Sequence, residues 1–148
     1  MKLEEKITGE IKAAMMAKDS ARLEALRAIK AEILLLNSSE KGSSEDAENK
    51  AMQKMVKQRK EAAEIYATQN RPELAEKELF QAGVIESFMP KQMNADELQA
   101  AVKEIMVATG ASSMADMGKV MGVATKQLAG KAEGRAISEM VKKLLSGN

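Results

Sequence analysis

Apolar residues recur every three or four positions along most of the chain, which is the spacing of one buried face of an α-helix. The first run predicts a helix from about Leu3 to Ala17, and Asp19 is a suitable N-cap for a second helix. The apolar positions of these two helices are Leu3, Ile7, Ile11 and Met15, then Leu26, Ile29, Ile33 and Leu36. We expect the two helices to form an antiparallel hairpin.

Two further helices are predicted before Pro90. The polar stretch Asn37–Asp46 interrupts the apolar pattern, so we expect a loop there and then a helix over about Glu45–Gln69. Pro72 suits the first turn of the next helix, and Pro90 ends that helix near Phe88. The apolar positions that would dock it on the preceding helix are Leu74, Leu79, Ala82, Ile85 and Phe88.

The segment MPKQM, residues 89–93, predicts a domain boundary. It divides the chain into a domain of residues 1–90 and a smaller one of residues 91–148. The smaller domain opens on Asn94 and Glu97, whose spacing of three is that of a capping box. Three helices are expected in it.

The first of these three helices should cover about Ala95–Ala108, and Asp116 is expected to cap the second, Met117–Ala129. The buried stripe of the last is formed by Ile137, Met140, Val141, Leu144 and Leu145. The sequence thus predicts an all-α fold. An N-terminal helical hairpin and two packed helices precede a small three-helix unit.

Composition restricts the chemistry that this fold can carry. The chain has 148 residues, no Cys and no His, so thiolate nucleophiles, imidazole bases and the metal sites built on them are excluded. Because it has only three aromatic residues, we expect the core to be filled by Leu, Ile, Val and Ala together with the twelve Met. We therefore predict no catalytic residues, no metal site and no cofactor.

Charge is distributed unevenly although the net charge is only +1. Residues 117–148 hold six Lys or Arg against two Glu, whereas residues 1–90 are balanced. The N-terminus MKLEEKITGE has charges where a signal peptide needs an apolar run, and no apolar stretch is long enough for a membrane span. We expect a cytoplasmic protein with no membrane partner.

The most basic segment is also the richest in glycine: GKVMGVATKQLAGKAEGR, Gly118 to Arg135. If Met117–Ala129 is a helix, Gly118 and Gly122 lie on its outer side, with Lys119 and Lys126 beside them. Each glycine inside a helix costs about 1 kcal/mol relative to alanine, so a compensating reason is required.

Two interpretations of this segment remain open. Small residues four apart would let another helix pack closely, which explains the glycines alone. A phosphodiester backbone would need both the bare surface and the cations, so it explains the glycines and the lysines. The predicted RNA-binding residues are Lys119, Gly122, Lys126, Lys131, Gly134, Arg135, Lys142 and Lys143.

Several motifs resemble the YqeY-like family, the free-standing form of the GatB/YqeY domain. They are KQR, RPELAEKE, MPKQM, DMGKVM and the turn GKAEGR, and the similarity spans essentially the whole chain. Lys131 and Glu133 stand where Arg and Asp are common in the family turn. A related domain is the C-terminal tail of the B subunit of the glutamine-dependent tRNA amidotransferase, where it is implicated in holding the tRNA body.

The resemblance implies an all-α fold in two parts and raises tRNA, or another structured RNA, as the expected partner. It does not confer the carbon–nitrogen ligase reaction with glutamine as amide donor, because the ATP-binding cradle of the larger relative is missing from this sequence. Two alternatives remain beside a non-catalytic RNA-binding module. One is a protein-interaction adaptor in translation or amidotransfer, and the other is an accessory to tRNA-dependent amidotransfer.

Overall fold

The computed structural model describes residues 2–40 and 42–147, so Met1, Lys41 and Asn148 lie outside the described part. Within that part the chain forms seven α-helices and one short 3₁₀ helix and contains no strand, which confirms the predicted all-α class. The helices are α1 (Leu3–Met16), α2 (Ser20–Asn37), α3 (Glu45–Thr68), α4 (Pro72–Glu86), α5 (Ala95–Thr109), α6 (Met117–Gln127) and α7 (Gly134–Leu145). The 3₁₀ helix, Met114–Asp116, lies directly before α6.

Local capping determines where several helices begin. The Asp19 carboxylate accepts a hydrogen bond from the Arg22 backbone N–H at 3.2 Å and so caps α2, as predicted. The Ser44 hydroxyl accepts one from the Ala47 N–H at 3.1 Å and caps α3. Pro72 occupies the first turn of α4, where its missing N–H removes no helical hydrogen bond.

The chain divides into two compact units, Met1–Met89 and Pro90–Asn148, one residue before the boundary expected from the sequence. In the first unit α1 packs on α2, and α3 packs extensively on α4. Its buried core is formed by Ile7, Ala14, Ala25, Leu26, Ile29, Ile33, Met52, Val56, Ala82, Val84 and Ile85.

Two of the residues assigned to this core by their spacing are exposed instead. Met15 is 54% exposed, whereas Ala14 is 3% exposed. Around the axis of α1, Ala14 lies about 20° from buried Ile7 and Met15 about 80° from it, so only Ala14 points inward. Leu79 is 51% exposed because it lies about 120° around α4 from fully buried Ile85.

In the second unit α5, α6 and α7 all pack on one another. Asn94 caps α5 through a full capping box: its side chain accepts from the Glu97 N–H at 2.8 Å, and the Glu97 carboxylate accepts from the Asn94 N–H at 3.1 Å. The buried core is formed by Leu98, Val102, Ile105, Val120, Ala124, Leu128, Ala132, Ile137, Val141 and Leu145. This packing leaves the outer faces of α6 and α7 free to carry polar chemistry.

Candidate nucleic-acid interface

Helix α6 is divided into a core face and a bare outer face. Val120 and Ala124 are completely buried. On the other side Gly118, Gly122 and the two lysines 119 and 126 are all exposed. The exposed face of α6 therefore carries the two glycines together with the two lysines, as the helical spacing predicts.

The two outer glycines, Gly118 and Gly122, are called the glycine strip below. A Cβ atom added at either position would meet no other atom within 4 Å, leaving aside the helix's own neighbouring backbone. Since a glycine in a helix interior costs about 1 kcal/mol, packing inside the described chain does not explain the strip. The strip is therefore a surface of bare helix that is open to contact with another molecule.

Asp116 does not cap α6 as the sequence suggested. Its carboxylate reaches backward and accepts hydrogen bonds from the backbone N–H groups of Ser112 at 2.9 Å and Ser113 at 3.2 Å. The 3₁₀ helix that precedes α6 places Asp116 inside a helical turn, which prevents it from capping forward. These two N–H groups, helped by the nearby Lys119 ammonium, lower the pKa of Asp116 below its usual range.

Lys131 lies on a turn that the protein holds tightly. Gly130 adopts a left-handed φ of 76°, as expected of a glycine ending α6. Its carbonyl accepts a hydrogen bond from the Gln92 side chain, and the Lys131 carbonyl accepts one from the Met93 N–H at 2.9 Å. Residues 128–130 and 132 are buried, so the side chain that this turn exposes to solvent is that of Lys131.

Gln92 is a positioning residue that the sequence reasoning did not find. The segment that contains it was interpreted only as a boundary between units. Its partner Gly130 lies 38 residues further along the chain, and no local pattern indicates a contact over that distance.

The start of α7 supplies backbone donors beside the turn. Gly134 and Arg135 are its first two residues, and the N-cap Glu133 makes no side-chain capping bond. The first N–H groups of a helix have no acceptor within the helix, so this end favours an anion. Arg135 also pairs with Glu139 one turn later, Nε to Oε1 at 3.2 Å, in an exposed contact of the kind that contributes little to stability.

The last two predicted residues diverge. Lys142 follows Arg135 by seven positions and lies on nearly the same side of α7, whereas Lys143 is about 100° further around the helix. Lys143 lines a groove of about 490 Å³ together with Glu133, Glu139 and several apolar side chains of α5 and α7. Lys143 shares this groove with two carboxylates, which makes it less suitable than Lys142 for contact with phosphate.

Within residues 2–40 and 42–147, no helix has the length and apolar character needed to cross a bilayer. The same residues contain no group of three acidic side chains placed to hold a metal ion together.

The family of this chain follows from its comparison with models of known protein families. The model of the family described as Yqey-like protein matches residues 4–145. The chain belongs to the YqeY-like family. This confirms the resemblance drawn from the motifs, and the match includes both units and all seven helices. Comparison with curated proteins finds no match to this YqeY-like chain.

Proposed function

We propose that this YqeY-like protein is a non-catalytic helical module that binds tRNA, or a tRNA-like structured RNA, through the basic surface of its second unit. The observation that carries the proposal is the open glycine strip beside exposed Lys119 and Lys126. A phosphate backbone can approach bare helix closely while the flanking ammonium groups neutralise its charge.

The turn and the start of α7 support the same proposal. Lys131 projects from a turn whose backbone is held by residues 92 and 93, so little backbone entropy is lost when it meets a phosphate. Gly134 places free backbone N–H groups next to it. All three aromatic residues of the chain precede residue 90, so the second unit lacks rings for base stacking, and we expect recognition of RNA shape and phosphates.

A filter-binding titration with folded tRNA tests the proposal. With about four phosphates neutralised, the plot of log affinity against log salt should have a slope of about −3 to −4. The double variant Lys119→Glu/Lys126→Glu should weaken binding about tenfold or more at low salt, because two attractive charges become repulsive.

The matched control is Lys91→Glu/Lys103→Glu, which changes the net charge equally at exposed positions of the same unit. It should weaken binding much less. Equal loss in the two double variants, or binding that does not respond to salt, would contradict a localised phosphate-binding surface.

The open strip also admits a second function, that of an adaptor whose glycines receive a helix of a partner protein. The two functions respond differently to substitution. If the protein is an adaptor, Gly122→Leu should abolish capture of a partner helix, whereas Lys126→Glu should leave that capture intact. RNA binding should instead respond strongly to Lys126→Glu.

A further inference from the structure

A polar cavity lies in the first unit, far along the sequence from the glycine strip. It has a volume of about 250 Å³ and lies among α2, α3 and α4. Its polar lining comes from Glu24, Arg59, Tyr66, Lys77, Glu78 and Gln81. Arg59 belongs to the motif KQR, and Lys77 and Glu78 belong to RPELAEKE, two motifs to which the RNA-binding surface gives no role.

Gln81 is the buried polar side chain of this cavity. Only 4% of the residue is exposed, and it lines the cavity together with its neighbours on α4, Lys77 and Glu78. An amide offers both donors and an acceptor, so Gln81 can hydrogen-bond either kind of polar group that enters the cavity.

The charged residues that line the cavity form only long ion pairs with one another. Arg59 Nη1 lies 3.4 Å from Glu78 Oε2, and Lys77 Nζ lies 3.5 Å from Glu24 Oε2. Both distances exceed the roughly 2.7–2.9 Å of a strong charge-assisted hydrogen bond. In addition, Arg59 Nε is buried without a partner among the described residues.

These observations restrict the charge and size of an occupant. The lining carries two cations and two anions that balance one another, so the charge of a ligand with a net charge would stay uncompensated. A zwitterion can place its carboxylate near Arg59 and Lys77 and its ammonium near Glu78 and Glu24. A cavity of 250 Å³ is below the roughly 300–1,000 Å³ of sites for drug-sized ligands, so the occupant is small.

We propose that the cavity lined by Gln81, Arg59, Lys77 and the two carboxylates is a binding site for a small zwitterion of the α-amino acid class. Gln81 hydrogen-bonds the ligand, and the two loose ion pairs open toward its charged ends. Its residues all belong to the first unit, so the proposal stands whether or not the second unit binds RNA.

The chain itself supplies a reporter for this site. Tyr66 lines the cavity and is the single tyrosine of a protein without tryptophan. The experiment titrates the full protein with L-alanine and follows Tyr66 fluorescence together with backbone amide shifts of α3 and α4 by NMR. Propionate and ethylamine, which each retain one charged group of alanine, are titrated in parallel.

We expect saturable changes with L-alanine and much weaker ones with either half-molecule. Gln81→Leu keeps the side-chain volume but removes the amide, so it should weaken alanine binding roughly five- to tenfold. Gln58→Leu, on the exposed side of α3, is its matched control and should bind as the parent does. If circular dichroism shows that Gln81→Leu fails to fold, the exposed substitution Glu24→Gln decides, with Glu76→Gln as control.

Three results would overturn the proposal. The first is the absence of any saturable response to L-alanine in both readouts, which would mean a cavity filled by water alone. The second is an equal response to propionate or ethylamine. The third is undiminished alanine binding in a folded Gln81→Leu or in Glu24→Gln.

Discussion

At the scale of single residues, Asp116 shows how a carboxylate on a short helical turn acquires a structural role. It accepts two backbone hydrogen bonds from residues 112 and 113 and lies near the ammonium group of Lys119. Each of these contacts favours the ionised form and lowers its pKa. The turn that leads into α6 therefore depends on a charge at this position.

This dependence predicts a defined response to pH. A carboxyl whose pKa is lower in the folded than in the unfolded protein adds stability above the unfolded value, about 3.9 for Asp, and loses it as pH falls through the folded pKa. Asp116→Asn should therefore lower the melting temperature at pH 7, and the difference from the parent should shrink below about pH 4. Thermal unfolding of both proteins across a pH series measures it.

The control for this experiment is Glu104→Gln, which removes an exposed carboxylate from α5. Its melting curve should follow that of the parent more closely at neutral pH. A constant difference between Asp116→Asn and the parent at all pH values would mean that the charge of Asp116 is not the cause.

At the scale of elements, α6 retains glycine at a cost in its own stability. Gly122→Ala places a methyl group in open space on a helix, so it should stabilise the protein by about 0.5–1 kcal/mol. Urea unfolding measures the change. Gly130→Ala is the control and should destabilise the protein, because the φ of 76° at this position disfavours any residue with a side chain. A Gly122→Ala variant less stable than the parent would contradict the open environment.

The elements also show which parts of the fold the sequence can predict. The caps formed by Asp19, Ser44 and Asn94 join residues only three apart, so their patterns are visible in the sequence. Met15 and Leu79 were misassigned because a spacing of three or four permits a wide range of directions around a helix, and the tertiary contacts select among them.

The candidate site was predictable to a similar extent. The positions of Lys119 and Gly122 on one outer face follow from helical geometry, and the structure places both there. The Arg135–Glu139 pair was visible as a spacing of four but was not anticipated. The hydrogen bond by which Gln92 holds the turn around Lys131 was not predictable, because it joins residues from distant parts of the sequence.

At the scale of the whole molecule, the protein has two separate hydrophobic cores. Ile29 is completely buried in the first core and Val141 in the second. Ile29→Ala should destabilise the first unit by about 2–4 kcal/mol, since it removes buried methyl groups and leaves a cavity. Hydrogen exchange of backbone amides, read unit by unit, measures where protection is lost.

Val141→Ala is the counterpart in the second unit, with a smaller expected loss because fewer atoms are removed. Each variant should reduce amide protection mainly in its own unit. An equal loss of protection in both units from Ile29→Ala would show that the two cores unfold as one cooperative body.

The hydrogen bond between Gln92 and Gly130 also closes a loop of the chain within the second unit. The hydrogen bond joins residues 38 positions apart, and α5 and α6 both lie between them. The entropy of closing such a loop rises only slowly with its length, by about 0.6 kcal/mol for each doubling. A few residues added within this loop would therefore change its closure entropy little, whereas replacement of Gln92 would remove one of the two hydrogen bonds that hold the turn around Lys131.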